Sequence, residues 1–223
     1  MSWDPIWERI FSEYGWGRYP NEELVRFMTR NFGRSGDRSA VRVLEIGCGN
    51  GANLWYLARE GFEPFGIDGA PTAIRLAGER LAAEAVNADL RVGDVVALPA
   101  VYPPQYFDAV VDVACLQCNH LPEVQRIVAA CTAVLKPGGR MFSLLVARGS
   151  WGDGCGREVA PGTFTDIGEG PLKDRGLNHF FTREEVGDLW KSYAELGVEY
   201  VARSFRGGTR EYKTWVVDAV LRR

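Results

Sequence analysis

The sequence predicts an α/β fold with a parallel, doubly wound sheet closed by a terminal hairpin. Three observations carry this expectation. Strands and helices alternate through residues 41–146 in units long enough for strand–helix–strand crossovers. Residues 106–114 form a continuous apolar run, which suits a strand covered on both faces. Residues 199–205 and 214–221 read as two strands joined by a loop containing Gly207 and Gly208.

Taken in order, residues 1–40 are read as an N-terminal helical cap. Its first part is aromatic and irregular, with Trp3, Trp7, Phe11, Tyr14, Trp16 and Tyr19 ahead of Pro20. Asn21 then caps a helix to about Phe32, where Leu24, Phe27, Met28 and Phe32 share a face. Residues 33–39 form an exposed linker. The core, residues 41–146, has strands at 41–46, 63–67, 89–92, 106–114 and 140–146 and helices at 53–59, 71–86 and 122–135, with Pro71 suited to a first turn. Lys136-Pro-Gly-Gly139 stops the third of these helices. Residues 147–181 are glycine-rich and without periodicity, which is read as a lid or substrate loop. Thr182 and Glu185 form a capping box opening a helix through about Leu196, so that residues 182–223 supply the last helix and the hairpin. The whole chain is read as one domain.

Composition excludes several classes. With 46% hydrophobic and 25% charged residues the 223-residue chain is an ordinary globular protein. Its net charge of -3 lacks the basic excess of a nucleic-acid enzyme. Arg203, Arg206, Arg210, Lys213, Arg222 and Arg223 crowd the C-terminus and are read as solvated strand and turn residues. The five cysteines, Cys48, Cys115, Cys118, Cys131 and Cys155, sit mostly in apolar runs without a signal peptide, so reduced thiols and a cytoplasmic location are expected. Cys115-x-x-Cys118 has no second ligand pair, and only His120 and His179 remain to contribute, so no metal is expected. No apolar run approaches the ~20 residues that cross a bilayer, and no membrane partner is expected.

The chemistry-bearing motif is Val43-Leu-Glu-Ile-Gly-Cys-Gly-Asn-Gly51. A buried strand runs into three glycines at the carboxyl edge of the sheet, where such folds take nucleotides. Dinucleotide sites place their glycines as Gly-x-Gly-x-x-Gly against a pyrophosphate. Here the spacing is Gly-x-Gly-x-Gly, and Glu45 precedes the first glycine by two residues. An acid repels a pyrophosphate and favours the cationic sulfonium and amino group of S-adenosylmethionine. Asp68 ends the second strand, where a carboxylate accepts from ribose hydroxyls. Asp94 closes the third strand and can accept from an adenine amine.

Together Glu45-Ile-Gly-Cys-Gly-Asn-Gly51, Asp68, Gly93-Asp94, Phe107-Asp108 and Leu135-Lys-Pro-Gly-Gly139 resemble class I S-adenosylmethionine-dependent methyltransferases, over roughly residues 41–146. The resemblance implies a Rossmann-like, mostly parallel seven-stranded sheet with an antiparallel last strand. It places Glu45, Gly47, Cys48, Gly49 and Gly51 around the methionine and ribose of the cofactor and Asp68 with Gly69 at the ribose. Gly93, Asp94 and Val95 fall at the adenine, and Asp112, Val113 and Ala114 face the methionine end. Lys136-Pro-Gly-Gly139 is given no catalytic role. Trp3-Asp-Pro-Ile-Trp7 and Trp16-Gly-Arg-Tyr-Pro20 resemble leader segments of bacterial small-molecule methyltransferases that cover the cofactor cleft. In that reading Trp16 or Tyr19 supplies a cation–π face and Arg18 pairs with the cofactor carboxylate. The alternative is a hydrophobic strap packed on the sheet.

Methyl transfer is an in-line displacement in which alignment can supply much of the rate, so a base is not obligatory. His179 is the first candidate base and His120 the second; each is also suited to a backbone-bonded position before a helix. Trp151, Phe164 and Tyr212 are candidates for lining a substrate pocket. The expected partner is a small-molecule acceptor, with no nucleic acid and with the protein a monomer or homodimer. The alternatives are an RNA or protein methyltransferase, a non-catalytic S-adenosylmethionine-binding protein and a nicotinamide-dependent oxidoreductase.

Overall fold

The computed structural model describes residues 3–14 and 17–223. Its centre is a seven-stranded sheet of β1 (Arg42–Ile46), β2 (Glu63–Asp68), β3 (Asp89–Val92), β4 (Phe107–Val113), β5 (Leu135–Val146), β9 (Glu195–Phe205) and β10 (Arg210–Val220). The strand order is β3-β2-β1-β4-β5-β10-β9. The five strands from β3 to β5 are parallel, and β10 runs antiparallel to both β5 and β9. The order reverses between β1 and β4, and open α/β sheets bind ligands beyond the carboxyl ends of strands at such a switch point.

Two hydrophobic layers cover the sheet, and strand parity decides what each receives. On one face Leu44, Ile46, Phe65, Ile67, Val110 and Met141 pack under α5 (Leu98–Val101) and α6 (Leu121–Val134). On the other, Val43, Ala109, Val111, Phe142 and Leu144 meet α2 (Glu22–Phe32) and α3 (Ala52–Arg59). Asn21 caps α2 by accepting from the Glu23 and Leu24 amides, and Leu24, Phe27 and Met28 are buried. Each of these side chains contributes roughly 1.5–3 kcal/mol, far above the few tenths that helix propensity adds per residue.

Several expectations are corrected. The N-terminal stretch is helical at α1 (Ile6–Glu13), because Trp7, Ile10 and Phe11 recur at i, i+3 and i+4. Residues 147–181 are not structureless. They form a three-stranded antiparallel sheet of β6 (Arg157–Ala160), β7 (Thr163–Thr165) and β8 (Asn178–His179) over Val146, Phe164, Ile167, Leu172 and Phe180. Strands of two to four residues are too short to display a period of two.

The last helix, α7 (Arg183–Leu189), keeps its capping box but stops well before Leu196. It contains Gly187, and the β9–β10 ladder claims the chain from Glu195 onward through eleven paired positions. Lys136-Pro-Gly-Gly139 lies inside β5 as a register shift opposite Phe107 and Ala109, with Lys136 Nζ 2.7 Å from Asp108 Oδ1.

Candidate functional site

A cavity of about 310 Å³ opens at the switch point. That is the lower end of the usual range for small-ligand sites. Its floor is the loop after β1 and the ends of β2 and β4. Its cover is α1, followed round by residues 171–178 and Tyr212 of β10.

Parity sets the electrostatics of the floor. Glu45 shares a face with Val43, and Asp68 lies on that same side of the sheet, opposite to Ile67. Both carboxylates line the cavity. Glu45 is buried, and its Oε1 accepts from Asn53 Nδ2 at 2.6 Å. Asn53 is itself fixed, because its Oδ1 accepts the Asn21 amide at 2.9 Å. Glu45 Oε2 is buried with no hydrogen-bond partner. Burial, with Asp68 and Asp112 nearby, pushes the Glu45 carboxyl up to about 8, against the opposing Asn53 bond. Asp68 accepts from the Gly49 and Ala70 amides, each at 2.9 Å. Burial raises its pKa despite those bonds.

The glycine loop is shaped by what presses on it. Gly49 has φ +52°, and a Cβ there would lie 3.1 Å from the Phe11 ring. At Gly47 a Cβ would meet the Cys115 side chain at 2.5 Å, and at Gly69 it would collide with the Trp3 ring. Backbone at Gly49 and Gly69 lies directly under the covering rings.

The structure brings Glu45, Gly47, Cys48, Gly49, Asp68 and Gly69 to the cavity, together with Gly93, Val95, Val113 and Ala114. Gly51 stays outside. It is left-handed at φ +74° as the cap residue of α3, and a Cβ would meet Ala77 at 2.9 Å, so it serves helix packing. Asp94 is turned to its own chain, capping the following turn by accepting the Val96 amide at 3.1 Å. Asp112 falls on the opposite face of β4 from Val111. It accepts from the Cys115 and Leu116 amides at 2.7 and 3.1 Å and from Ser143 Oγ at 2.9 Å, so it holds the turn that presents Val113 to Cys115 and does not itself reach the cavity. Burial lifts it to about 7.

Arg18 and Tyr19 are exposed and do not line the cavity, and Trp16 lies outside the described residues. Neither histidine reaches it. His179 is fully buried in β8, with Nδ1 2.7 Å from Thr163 Oγ1 and Nε2 3.4 Å from Glu185 Oε1. His120 is exposed at the start of α6. Of the three aromatic candidates, Tyr212 lines the cavity while Trp151 and Phe164 do not.

The sequence reading missed Trp3, Trp7 and Phe11 as individual wall residues, although it marked their segment; the spacing of Trp7, Ile10 and Phe11 was the available signal. It missed Asn53, Gln117, Asn119, Leu172 and Asn178. Gln117 is bonded within the wall, its Oε1 accepting the Val146 amide at 2.9 Å and its Nε2 donating to Asn178 Oδ1 at 3.3 Å. Apart from Leu172 these are amides, drawn from three segments of the chain, and no local pattern distinguishes them.

Among the described residues no group of three or more His, Cys, Asp or Glu could hold a metal ion, and all five cysteines are free. No helix among them is long and apolar enough to cross a membrane.

Comparison with known proteins follows the same lines. Residues 43–139 match the family model described as a methyltransferase domain. A ubiquinone biosynthesis O-methyltransferase of Xylella fastidiosa is 38% identical over 184 residues, covering 82% of this chain and 58% of that relative. The chain thus spans somewhat more than half the length of the curated relatives it matches. An S-adenosylmethionine-dependent methyltransferase from Methanosarcina mazei superposes with a TM-score of 0.64 at 23% identity, over 82% of this chain and 93% of the other. The 1,6-didemethyltoxoflavin-N1-methyltransferase of Burkholderia thailandensis gives 0.64 at 18% identity, over 91% and 78%. Motif order and sheet topology agree with these likenesses: residues 43–139 match a methyltransferase domain, and the chain is similar to S-adenosylmethionine-dependent methyltransferases.

Proposed function

We propose that the protein transfers a methyl group from S-adenosylmethionine to a small-molecule acceptor, leaving S-adenosylhomocysteine. The observation that carries this reading is Glu45 Oε2, a buried carboxylate oxygen without a partner on the cavity wall beside Asp68. An orphaned buried acceptor is costly unless a donor or cation comes to it. Two carboxylates at the carboxyl edge suit a ligand rich in donors and positive charge and oppose a pyrophosphate.

Glu45, steadied by Asn53, would hold the amino end of the cofactor, and Asp68 its ribose hydroxyls. The backbone of residues 47–49 and 113–115 would lie along its length. Bound cofactor supplies an electrophilic methyl group on a sulfonium. The protein's part is to hold the acceptor in line and keep water out. Trp3, Trp7 and Phe11 cover one side, and Gln117, Asn119, Asn178 and Tyr212 would face the acceptor with uncharged polar groups. Burial raises the Cys115, Cys118 and Tyr212 pKa values, so none of these readily takes up a role as an ionised nucleophile or base. Rate would therefore come chiefly from proximity and alignment. Hydroxylated acceptors are the first to screen, because the curated relatives are O-methyltransferases.

The test is calorimetric titration with S-adenosylmethionine and S-adenosylhomocysteine, with NADH as control, followed by turnover with candidate acceptors. Binding of the adenosyl ligands without NADH is expected. Binding of NADH alone would overturn the assignment.

A further inference from the structure

Helix α4 (Pro71–Ala83) begins without a cap of its own. Its N-cap residue is Ala70, which has no side-chain acceptor, and a proline fills the first turn. The missing acceptor comes from α1. Glu8 Oε2 accepts the Thr72 amide at 3.1 Å, and Glu8 Oε1 accepts the Thr72 hydroxyl at 2.6 Å, across 64 residues of sequence. The carboxylate also meets the positive end of a 13-residue helix.

Helix α1 needs such an anchor. It has eight residues, of which only Ile10 and Phe11 are buried, and a helix that short does not stand alone in water. Yet α1 and the residues before it supply the rings over the cavity: Trp3 on Gly69, Phe11 on Gly49, and Trp7 6.1 Å from Phe11. Those two glycines flank the floor carboxylate Asp68, whose oxygens bond the amides of Gly49 and Ala70.

We infer that Glu8 is a positioning residue, latching α1 shut over the cofactor cavity through Thr72, so that cofactor exchange requires these two bonds to break. The inference rests on the cofactor reading above. The latch is closed both in the bound complex and during chemistry, so Glu8 governs the release rate and leaves the methyl-transfer step itself to the cavity residues.

The test has two arms, applied to Glu8→Ala, Glu8→Gln, Thr72→Val and the double variant Glu8→Ala/Thr72→Val. Glu13→Ala, at the exposed end of α1, is the control. The first arm is hydrogen exchange of the α1 amides in the protein without ligand. The second is stopped-flow release of S-adenosylhomocysteine, read from tryptophan fluorescence. Glu8→Ala is expected to speed release roughly tenfold, as loss of a charged hydrogen bond acting mainly on dissociation would. It should raise α1 exchange while exchange in β1 and β4 stays unchanged. Glu8→Gln, which keeps one acceptor oxygen and the side-chain length, should show a smaller rise and remains informative if Glu8→Ala does not fold. The double variant should release no faster than Glu8→Ala alone. Wild-type release and α1 exchange in both Glu8 variants would overturn the latch, as would an equal effect from Glu13→Ala. Fully additive Glu8 and Thr72 effects would overturn Thr72 as its partner. Should the wild type bind neither adenosyl ligand, the cofactor reading falls, and the exchange arm alone decides the latch.

Discussion

Where β1 and β2 end, the cavity wall is backbone and carboxylate; where residues 171–178 and β10 meet it, the wall is amide and aromatic, with the Arg175 guanidinium among them. At the first end Glu45 and Asp68 sit on one face of adjacent strands, and burial raises both pKa values. At the second end Gln117 and Asn178 bond each other and the chain, and Tyr212 is pushed up to about 12 by burial. The first end is a place to hold a cation, and its geometry follows from strand parity and a tight turn. The second is a wall of amides with Tyr212 and the cationic Arg175, and under the proposed function it would hold an acceptor without taking a proton from it. Under the proposed function the tasks would be separated: charge would recognise the donor, and shape would align the acceptor.

The largest expected effect is at the first end. Gly49→Val puts a β-branched side chain at φ +52°, against Phe11 and over the floor. Such a conformation costs on the order of 1–3 kcal/mol before any clash. Calorimetry should find S-adenosylmethionine affinity reduced by about a hundredfold or more, equivalent to ~2.7 kcal/mol, in a variant whose circular dichroism is native. A folded variant with unchanged affinity would mean that the glycine loop does not carry the cofactor.

A smaller and more diagnostic effect belongs to Glu45. Its folded pKa of about 8 lies above the ordinary 4.5, so the folded protein without ligand holds an extra proton between those values. The sign follows: the contribution of this group to stability is complete below 4.5 and is lost as pH rises through about 8. A cationic ligand beside the carboxylate favours ionisation, so binding should release a proton near neutrality, and affinity should climb with pH until about 8. Titrations at pH 7 in phosphate and in Tris should therefore give different apparent enthalpies. Glu45→Gln should abolish that difference and weaken S-adenosylmethionine about tenfold, and S-adenosylhomocysteine, which keeps the same amino group, should lose a similar factor. Equal enthalpies in both buffers would place the cation elsewhere in the cavity.

The two ends also differ in how far the sequence discloses them. The glycine loop, Glu45 and Asp68 are local: a short strand, a turn and an acid at fixed offsets, each dictated by backbone geometry. The helices α2 and α6 were legible for a similar reason, since their apolar faces recur at helical spacing. The second end draws Gln117, Leu172, Asn178 and Tyr212 from three separate segments; Tyr212 is a candidate from the sequence and Leu172 and Asn178 fall in the expected substrate loop, but nothing near Gln117 in sequence marks it for the cavity. Asp112 shows where local reading fails even at the legible end. It stands at the right point along β4, but parity turns it to the face of Val110 and Ser143, where it bonds a turn. The small sheet of residues 157–179 was hidden because its strands are too short to show alternation.

His179 gives the last and smallest effect on the site, and the sharpest separation of lid from chemistry. Its position before the last helix suggested a base, but the ring is buried between Thr163 and Glu185, with Phe181 edge-on at 4.5 Å. Burial lowers its pKa below 6.5, outweighing Glu185, so the ring is neutral at pH 7. The unfolded chain binds that proton first, and the stability His179 contributes is present above pH 6.5 and lost as pH falls through the lower folded value. His179→Ala leaves Thr163 without its partner and opens a void, which should cost roughly 2–4 kcal/mol and show as a fall in Tm. S-adenosylmethionine affinity should stay within about twofold, because no atom of the ring faces the cavity, and kcat per folded molecule at 25 °C should hold to the same degree. A variant that keeps its Tm but loses turnover would instead make His179 part of the chemistry, and the cavity would have to open beside Asn178 to admit it.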